Sequence, residues 1–188
     1  MIRYLVLGAL IVGCGGSQSP TRSATERNTC PIDPDEPGIV FLPERAVLPD
    51  GAACLEFPLR QADRLSLWFR DARHMFLPGN HSGIDIPVPV GTIVVAPASG
   101  TVTHAKASRT DTNTVRLDLG DGWEASFSHL RLISVEVGQD VVQGQVIGLS
   151  GGQPGDPGAG PCTTGPHLHY ALMKDRKHAD PLAYSCLR

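Results

Sequence analysis

Two short clusters of residues in this sequence have the composition of a metal site. The first is His81-Ser-Gly-Ile-Asp85, and the second is His167-Leu-His169. Catalytic zinc sites typically use three nitrogen, oxygen or sulfur ligands from the protein and leave one position for water. His81, Asp85 and one histidine of the second cluster would supply that number. Since such zinc lowers the pKa of a coordinated water and polarises carbonyl groups, the pattern indicates hydrolytic chemistry.

Extended chain is the conformation that would place these side chains together. Between His81 and Pro87, glycine, proline and alternating isoleucine disfavour a helix. In a strand, Ile84 and Ile86 point to one face while Asp85 points to the other, with His81 beside it if the strand reaches that far. The two histidines of the segment 167–169 share a face in the same way. The spacing therefore predicts an apolar face for the core and a polar face for the site.

The remaining histidines differ in their settings. His129 lies in a third strand-like run, WEASFSHL, and is a further candidate for the site. His74, His104 and His178 match no ligand pattern, and we expect structural roles for them. Each cluster taken alone is also typical of unrelated surface polar residues, but their occurrence together favours one shared site.

The composition indicates a turn-rich β-domain. Glycine (21) and proline (16) are frequent in the 188 residues, which disfavours a helical bundle. From residue 84 onward, short β-prone runs alternate with Gly or Asp-Gly, and this predicts an all-β, small antiparallel β-sheet or barrel-like domain. The net charge of -3 excludes a generally basic surface, so no nucleic acid partner is expected.

The first residues have the features of an export signal. Arg3 precedes a short apolar run, Tyr4–Gly13, which is too short to cross a hydrocarbon core of about 30 Å. The run Ile11–Cys14 is similar to the bacterial lipobox, which predicts cleavage before Cys14 and lipidation of its thiol; a plain secretory signal is the alternative. A lipid anchor would tether the protein to a membrane. We expect an exported lipoprotein of the cell envelope, at the outer membrane or facing the periplasm.

Composition divides the chain into four segments. Residues 1–13 are predicted to be a signal peptide, and residues 14–29 a small, polar tether that begins at the lipidated cysteine. Residues 30–59 form a Pro-rich lead-in. The compact domain is predicted to span residues 60–188.

The other four cysteines are predicted to form disulfides because an exported protein meets an oxidising compartment. They are Cys30, Cys54, Cys162 and Cys186, and none belongs to a CxxC pair. Four cysteines allow three pairings. We expect the local one, Cys30–Cys54 with Cys162–Cys186, in which each pair is separated by 24 positions.

Several segments resemble the LytM/lysostaphin-type zinc metallopeptidases, bacterial enzymes that cut peptide bonds in peptidoglycan. The resemblance covers about residues 70–184 and follows the order and approximate spacing of that family's motifs. The matching segments are GNHSGIDIPVPVGTIVVAPASGTV, FSHL, VGQDVVQGQVIGLSG and TTGPHLHYAL.

This resemblance implies a fold of the duplicated hybrid motif type, one Zn²⁺ ion and a peptidoglycan peptide as substrate. Matched by position, it makes His81, Asp85 and His169 the zinc ligands. It makes His129 and His167 the catalytic histidines, without deciding which of them activates water. The implied activity is zinc-dependent endopeptidase cleavage of peptidoglycan cross-links.

Two other functions fit parts of the sequence. One is a non-catalytic module that binds the cell wall or activates an amidase, although the complete set of five site residues disfavours it. Ala171 also stands where a glutamate often follows the second motif of the family. The other is a biotinyl or lipoyl carrier. Residues 137–151 resemble the hairpin of such carriers, but this segment has no lysine to which the group could be attached.

Overall fold

A computed structural model describes residues 40–42, 46–60, 62–74, 79–109 and 112–186. These ranges contain twelve strands, a 3₁₀ turn at Pro49–Gly51 and one short helix, α1 (Pro181–Tyr184). The strands are β1 (Leu55–Glu56), β2 (Ile84–Ile86), β3 (Ile93–Val95), β4 (Gly100–Lys106), β5 (Thr114–Gly120), β6 (Trp123–Ser128), β7 (Leu130–Ile133), β8 (Asp140–Val141), β9 (Val146–Ser150), β10 (Leu168–Lys174), β11 (Lys177–Ala179) and β12 (Ser185–Cys186). The predicted all-β fold is confirmed.

The strands form three sheets, of which the largest carries the candidate site. Its strand order is β11-β10-β6-β5-β4-β8, and β2 also pairs with β10. A smaller sheet has the order β3-β9-β7, and all pairs within these two sheets are antiparallel. The third sheet is the parallel pair of β1 and β12. Within the described ranges no sheet closes into a barrel. Of the two predicted arrangements, the antiparallel sheet is therefore the one that is confirmed.

Alternation along the long strands gives the main sheet one apolar and one polar face. The core side of β5, β6 and β10 carries side chains that are at most 5% exposed: Val115, Leu117, Leu119, Trp123, Ala125, Phe127, Leu168, Tyr170 and Leu172. Because successive side chains of a strand point to opposite faces, the residues between them lie on the other side. His169 lies between Leu168 and Tyr170, so the fold places it on the polar face.

The lead-in packs onto the domain and pairs with its C-terminal strand. Leu48 and Leu55 are buried in the core. Strand β1 pairs with β12, with Leu55 opposite Ser185. No helix of the described ranges has the length and apolar character needed to span a membrane. The predicted signal peptide, Cys14 and the tether lie outside the described residues.

The predicted disulfide pairing is wrong. Cys54 is bonded to Cys186, with Cα atoms 5.2 Å apart and a sequence separation of 132. The parallel pairing of β1 with β12 brings these distant cysteines side by side, and spacing in sequence carries no signal of that contact. The local partners Cys30–Cys54 and Cys162–Cys186 are therefore excluded. Cys162 is itself disulfide-bonded, and Cys30 lies outside the described residues.

Removing this bond should destabilise the protein. We expect the double variant Cys54→Ser, Cys186→Ser to lose roughly 2 to 5 kcal/mol of unfolding free energy, because the bond closes a long loop in the unfolded chain. Denaturant unfolding under oxidising conditions measures the change. Zinc binding at low denaturant serves as the control, since the site lies in another sheet. An unchanged unfolding midpoint would contradict the expectation.

Candidate metal centre

Three potential ligand atoms converge at one edge of the polar face. They belong to His81, Asp85 and His169, and lie within 4.8 Å of one another. His169 Nδ1 is 2.8 Å from Asp85 Oδ1. His81 Nε2 is 3.2 Å from both Asp85 Oδ1 and His169 Nδ1. The two sequence clusters therefore meet. Of the two histidines in the second cluster, His169 has the nitrogen nearer to Asp85.

Strand pairing explains how two of these residues meet. Asp85 on β2 is directly opposite His169 on β10, so both side chains leave the same face of the sheet. Gly83 permits the close approach of the two strands, because a Cβ at this position would collide with the Tyr170 carbonyl oxygen. Ile84, the residue between, is fully buried in the core.

His81 precedes β2 and is oriented by a backbone carbonyl. Its Nδ1–H donates to the Trp68 carbonyl oxygen at 2.7 Å, which leaves Nε2 to face Asp85 and His169. The Arg70 backbone N–H in turn donates to the His81 carbonyl oxygen at 2.8 Å. The segment 68–73 therefore fixes both the ring and the backbone of this residue.

Asp71 holds that segment in shape. Its buried carboxylate accepts hydrogen bonds from the backbone N–H of Trp68 at 3.1 Å and of Arg73 at 2.8 Å. The Arg73 guanidinium also binds it, and this hydrogen bond is the main reason that the pKa of Asp71 lies well below its usual range. Sequence analysis did not single out Asp71 or Trp68, because neither belongs to a motif.

We expect Asp71→Ala to weaken zinc binding by roughly 10-fold or more, which is typical for residues that orient a metal ligand. Losing the carboxylate frees the Trp68 and Arg73 amides, so the carbonyl that orients His81 is no longer held. Competition with a chromogenic chelator measures the affinity. Asp63→Ala, an exposed site in the same stretch, is the matched control. Equal affinities of the two variants would contradict a positioning role.

His129 and His167 lie next to the three ligand atoms. Their ring centroids are 4.4 Å apart, and His167 Nε2 is 3.8 Å from Asp85 Oδ1. His129 Nδ1 donates to the Ala159 carbonyl and His167 Nδ1 to the Gly165 carbonyl, each at 2.7 Å. Since Nδ1 donates in both rings, the neutral form of each ring has its lone pair at Nε2.

The backbone of His129 departs from the predicted strand. His129 lies between β6 and β7 with φ of 63°, a left-handed conformation that is uncommon for residues other than glycine. Such backbone is typical of functional sites that are held in place by their surroundings. Here the Gly- and Pro-rich loop 151–161 supplies the Ala159 carbonyl that orients the ring.

Burial and charge shape the protonation of the cluster. Burial, with help from neighbouring His167 and His169, lowers the pKa of His129 to about 3. Burial of Asp85 favours its neutral form, but hydrogen bonds with His169 and His81 outweigh it and hold the pKa well below its usual range. Asp85 is therefore a carboxylate anion available to a cation.

The three candidate ligand residues have a geometry that fits a zinc ion. Tetrahedral zinc with ligand bonds of 2.0–2.1 Å places neighbouring ligand atoms about 3.3 Å apart. The three distances here, 2.8 to 3.2 Å, are close to that spacing. Two imidazoles and one carboxylate are also a donor set of catalytic zinc sites, which keep the fourth position open.

The other three histidines are not among the candidate ligands. His74 was expected to be unrelated to the site, but its ring stacks on His81 with centroids 4.7 Å apart. His104 on β4 and His178 on β11 do not belong to the ligand cluster. Cys54 and Cys186, which are bonded to each other, are also outside this ligand cluster.

Comparisons with known proteins agree with this geometry. The model of peptidase family M23 matches residues 79–181. A metalloprotease of Buchnera aphidicola is 31% identical over 132 residues, which are 68% of this chain and 33% of that protein. The peptidoglycan DD-endopeptidase ShyA of Vibrio cholerae is 37% identical over 93 residues, 50% of this chain and 20% of its own. The chain thus spans a third or less of these relatives.

A solved structure shares the fold as well. Lysostaphin, the antimicrobial peptidase from Staphylococcus simulans, superposes with a TM-score of 0.58 at 26% identity. The superposition covers 71% of this chain and 54% of lysostaphin. The matched family segment contains all five of the clustered histidine and aspartate residues. The chain therefore belongs to peptidase family M23.

Proposed function

We propose that this protein is a zinc-dependent endopeptidase that hydrolyses peptide cross-links in bacterial peptidoglycan. The observation that carries the proposal is the convergence of His81, Asp85 and His169 next to two further histidines, each of which donates from Nδ1 to a backbone carbonyl. Family membership supports peptidase activity, and the similarity to a peptidoglycan DD-endopeptidase supports the substrate.

His81, Asp85 and His169 would hold the ion, which supplies Lewis acidity toward a water molecule and a peptide carbonyl. His129 and His167 are placed to accept a proton at Nε2 and, once protonated, to donate a hydrogen bond to a negatively charged oxygen. The carbonyls of Ala159 and Gly165 keep both rings oriented for these tasks.

The cellular location is part of the same proposal. The N-terminal sequence supports export and lipid attachment at Cys14, with the domain carried on residues 14–29. Anchored in this way at the outer membrane and facing the periplasm, the domain would meet peptidoglycan peptides. Labelling with a radioactive fatty acid, compared between the wild type and Cys14→Ser, tests the anchor.

Digestion of purified peptidoglycan sacculi tests the activity. We expect the zinc-loaded protein to release peptides with new amino termini at the cross-links, identified by mass spectrometry. A chelator should stop the release, and added zinc should restore it. His169→Ala is the inactive control. If the zinc-loaded protein binds sacculi but creates no new termini, the alternative of a non-catalytic wall-binding or amidase-activating module is favoured.

A further inference from the structure

A second cavity opens on the polar face of the main sheet, away from the metal centre. Its volume is about 980 Å³. Strands β5, β6, β10 and β11 supply most of its lining, including Arg116, Glu124, Met173 and His178. A cavity of this size is in the range of ligand sites.

Strand register relates this cavity to the metal centre. Along β6, Ser128 is opposite His169, whereas Glu124 is opposite Met173, four residues farther along. Four residues of a strand span about 13 Å. All of these side chains belong to the polar face, so an extended peptide of about four residues bound at the metal centre would reach the cavity.

Polar atoms without partners concentrate in this cavity. Within the described residues, four buried side-chain polar atoms lack a hydrogen bond, and three of them line it: Arg116 Nε, Glu124 Oε1 and His178 Nδ1. Buried polar groups are normally hydrogen-bonded, so each unpaired atom needs an explanation. A ligand that binds in the cavity and pairs with these atoms is one such explanation. Arg116 and Glu124 lie on neighbouring strands, and the charge of Arg116 lowers the pKa of Glu124 against the larger effect of burial, yet no direct ion pair within the described residues joins them.

The charges of the lining restrict the ligand. Arg116, Arg176 and Lys177 are cationic, while Asp118, Glu124 and Asp175 are anionic. A polyanion such as nucleic acid would meet three carboxylates here, and a metal ion would meet the guanidinium. A ligand that carries one carboxylate and one ammonium group satisfies both Arg116 and Glu124, since a guanidinium binds carboxylates through a planar pair of N–H donors.

We propose that this cavity is a substrate subsite in which Arg116 binds a free carboxylate and Glu124 a free ammonium group of the wall peptide. The inference rests on the proposed function for the identity of the peptide. It makes Arg116 and Glu124 specificity residues that act at a distance from the bond being cut. Peptides that contain a diamino dicarboxylic acid residue carry both groups and are the substrate class that fits.

Calorimetric titration of the zinc-loaded full chain tests the carboxylate contact. The probes are two copies of the peptide L-Ala–D-Glu–diaminopimelate–D-Ala, identical except that one has the diaminopimelate side-chain carboxylate converted to an amide. We expect the wild type to bind the acid roughly 10- to 100-fold more tightly than the amide. Arg116→Gln should remove this preference, while Arg131→Gln, an exposed arginine outside the cavity, should retain it.

The ammonium contact has a corresponding test. Glu124→Gln should weaken binding of the peptide with a free side-chain amine by roughly 10-fold and leave its N-acetyl form unchanged. Glu136→Gln, an exposed glutamate outside the cavity, is the matched control. Equal loss for both peptide forms would show a structural role for Glu124 and overturn the ammonium assignment.

The subsite and the proposed function fail in different ways. Cleavage of sacculi together with equal affinity of the wild type for acid and amide would overturn the subsite and leave the endopeptidase standing. Arg116-dependent preference for the acid, without any cleavage, would support the subsite and overturn the endopeptidase. The acid–amide comparison needs only the wild type, so equal affinities would overturn the subsite even if Arg116→Gln does not fold.

Discussion

Replacing His169 with alanine is expected to abolish stoichiometric zinc binding and all measurable peptide-bond cleavage. Its Nδ1 is 2.8 Å from Asp85 Oδ1 and 3.2 Å from His81 Nε2, so its loss removes one of three converging ligands. The remaining imidazole and carboxylate would bind zinc too weakly to retain it through dialysis. Asp85→Asn should have the same effect, because it keeps the volume of the side chain but removes the anionic ligand.

Metal analysis after dialysis, followed by an assay on a purified cross-linked peptide, measures both losses. His104→Ala is the control, because it removes a histidine of the same sheet that is not in the ligand cluster. The control should retain one equivalent of zinc and full activity. A His169→Ala protein that binds one equivalent of zinc as tightly as the wild type would refute the ligand assignment.

Loss of either neighbouring histidine should separate metal binding from catalysis. We expect His129→Asn and His167→Ala to retain one zinc ion and to lose roughly 100- to 10,000-fold in kcat, the usual size of a general acid–base contribution. Asparagine is the better choice at 129, because it tolerates the left-handed backbone (φ of 63°) that alanine would strain. The carbonyls of Ala159 and Gly165 would then lack their imidazole donors.

The separation is read from zinc content and kcat measured on the same preparation. A thermal melt of each variant shows whether the fold is retained. Full activity in either variant would end its assignment as a catalytic histidine. Loss of zinc from either would instead move that histidine into the ligand set.

Local alternation predicted which face of the sheet the candidate ligand residues would share. Ile84 and Leu168 are buried in the core, and this forces Asp85 and His169 onto the opposite face, as the period of a strand requires. The spacing of His81 and Asp85 also predicted an extended segment, although β2 itself begins only at Ile84. The pairing of β2 with β10, which brings these segments together, came from the family resemblance and not from the pattern.

Long-range contacts were beyond the sequence pattern. The Cys54–Cys186 bond depends on β1 pairing with β12 across 132 positions, and two-residue strands have no detectable periodicity. The left-handed backbone of His129 depends on neighbours that hold the strand junction, so the run WEASFSHL reads as continuous strand. Sequence analysis could find Asp71 only by knowing that Trp68 contacts His81.

The side chains of the second cavity illustrate the same limit. Arg116 and Glu124 alternate with buried residues on β5 and β6, so the sequence places them on a polar face. It does not show that Arg116 Nε and Glu124 Oε1 are buried without a hydrogen bond, because that depends on tertiary packing. An alternating strand therefore predicts which residues share a face but not what they bind.

A crystal structure of the zinc-loaded protein, with anomalous diffraction data collected on both sides of the zinc absorption edge, tests the central claim most directly. The account predicts a single anomalous peak at about 2.0–2.2 Å from His81 Nε2, His169 Nδ1 and an Asp85 carboxylate oxygen. It also predicts that His129 and His167 lie beside the open position. A peak held by other residues, or none in crystals that contain one equivalent of zinc, would contradict it.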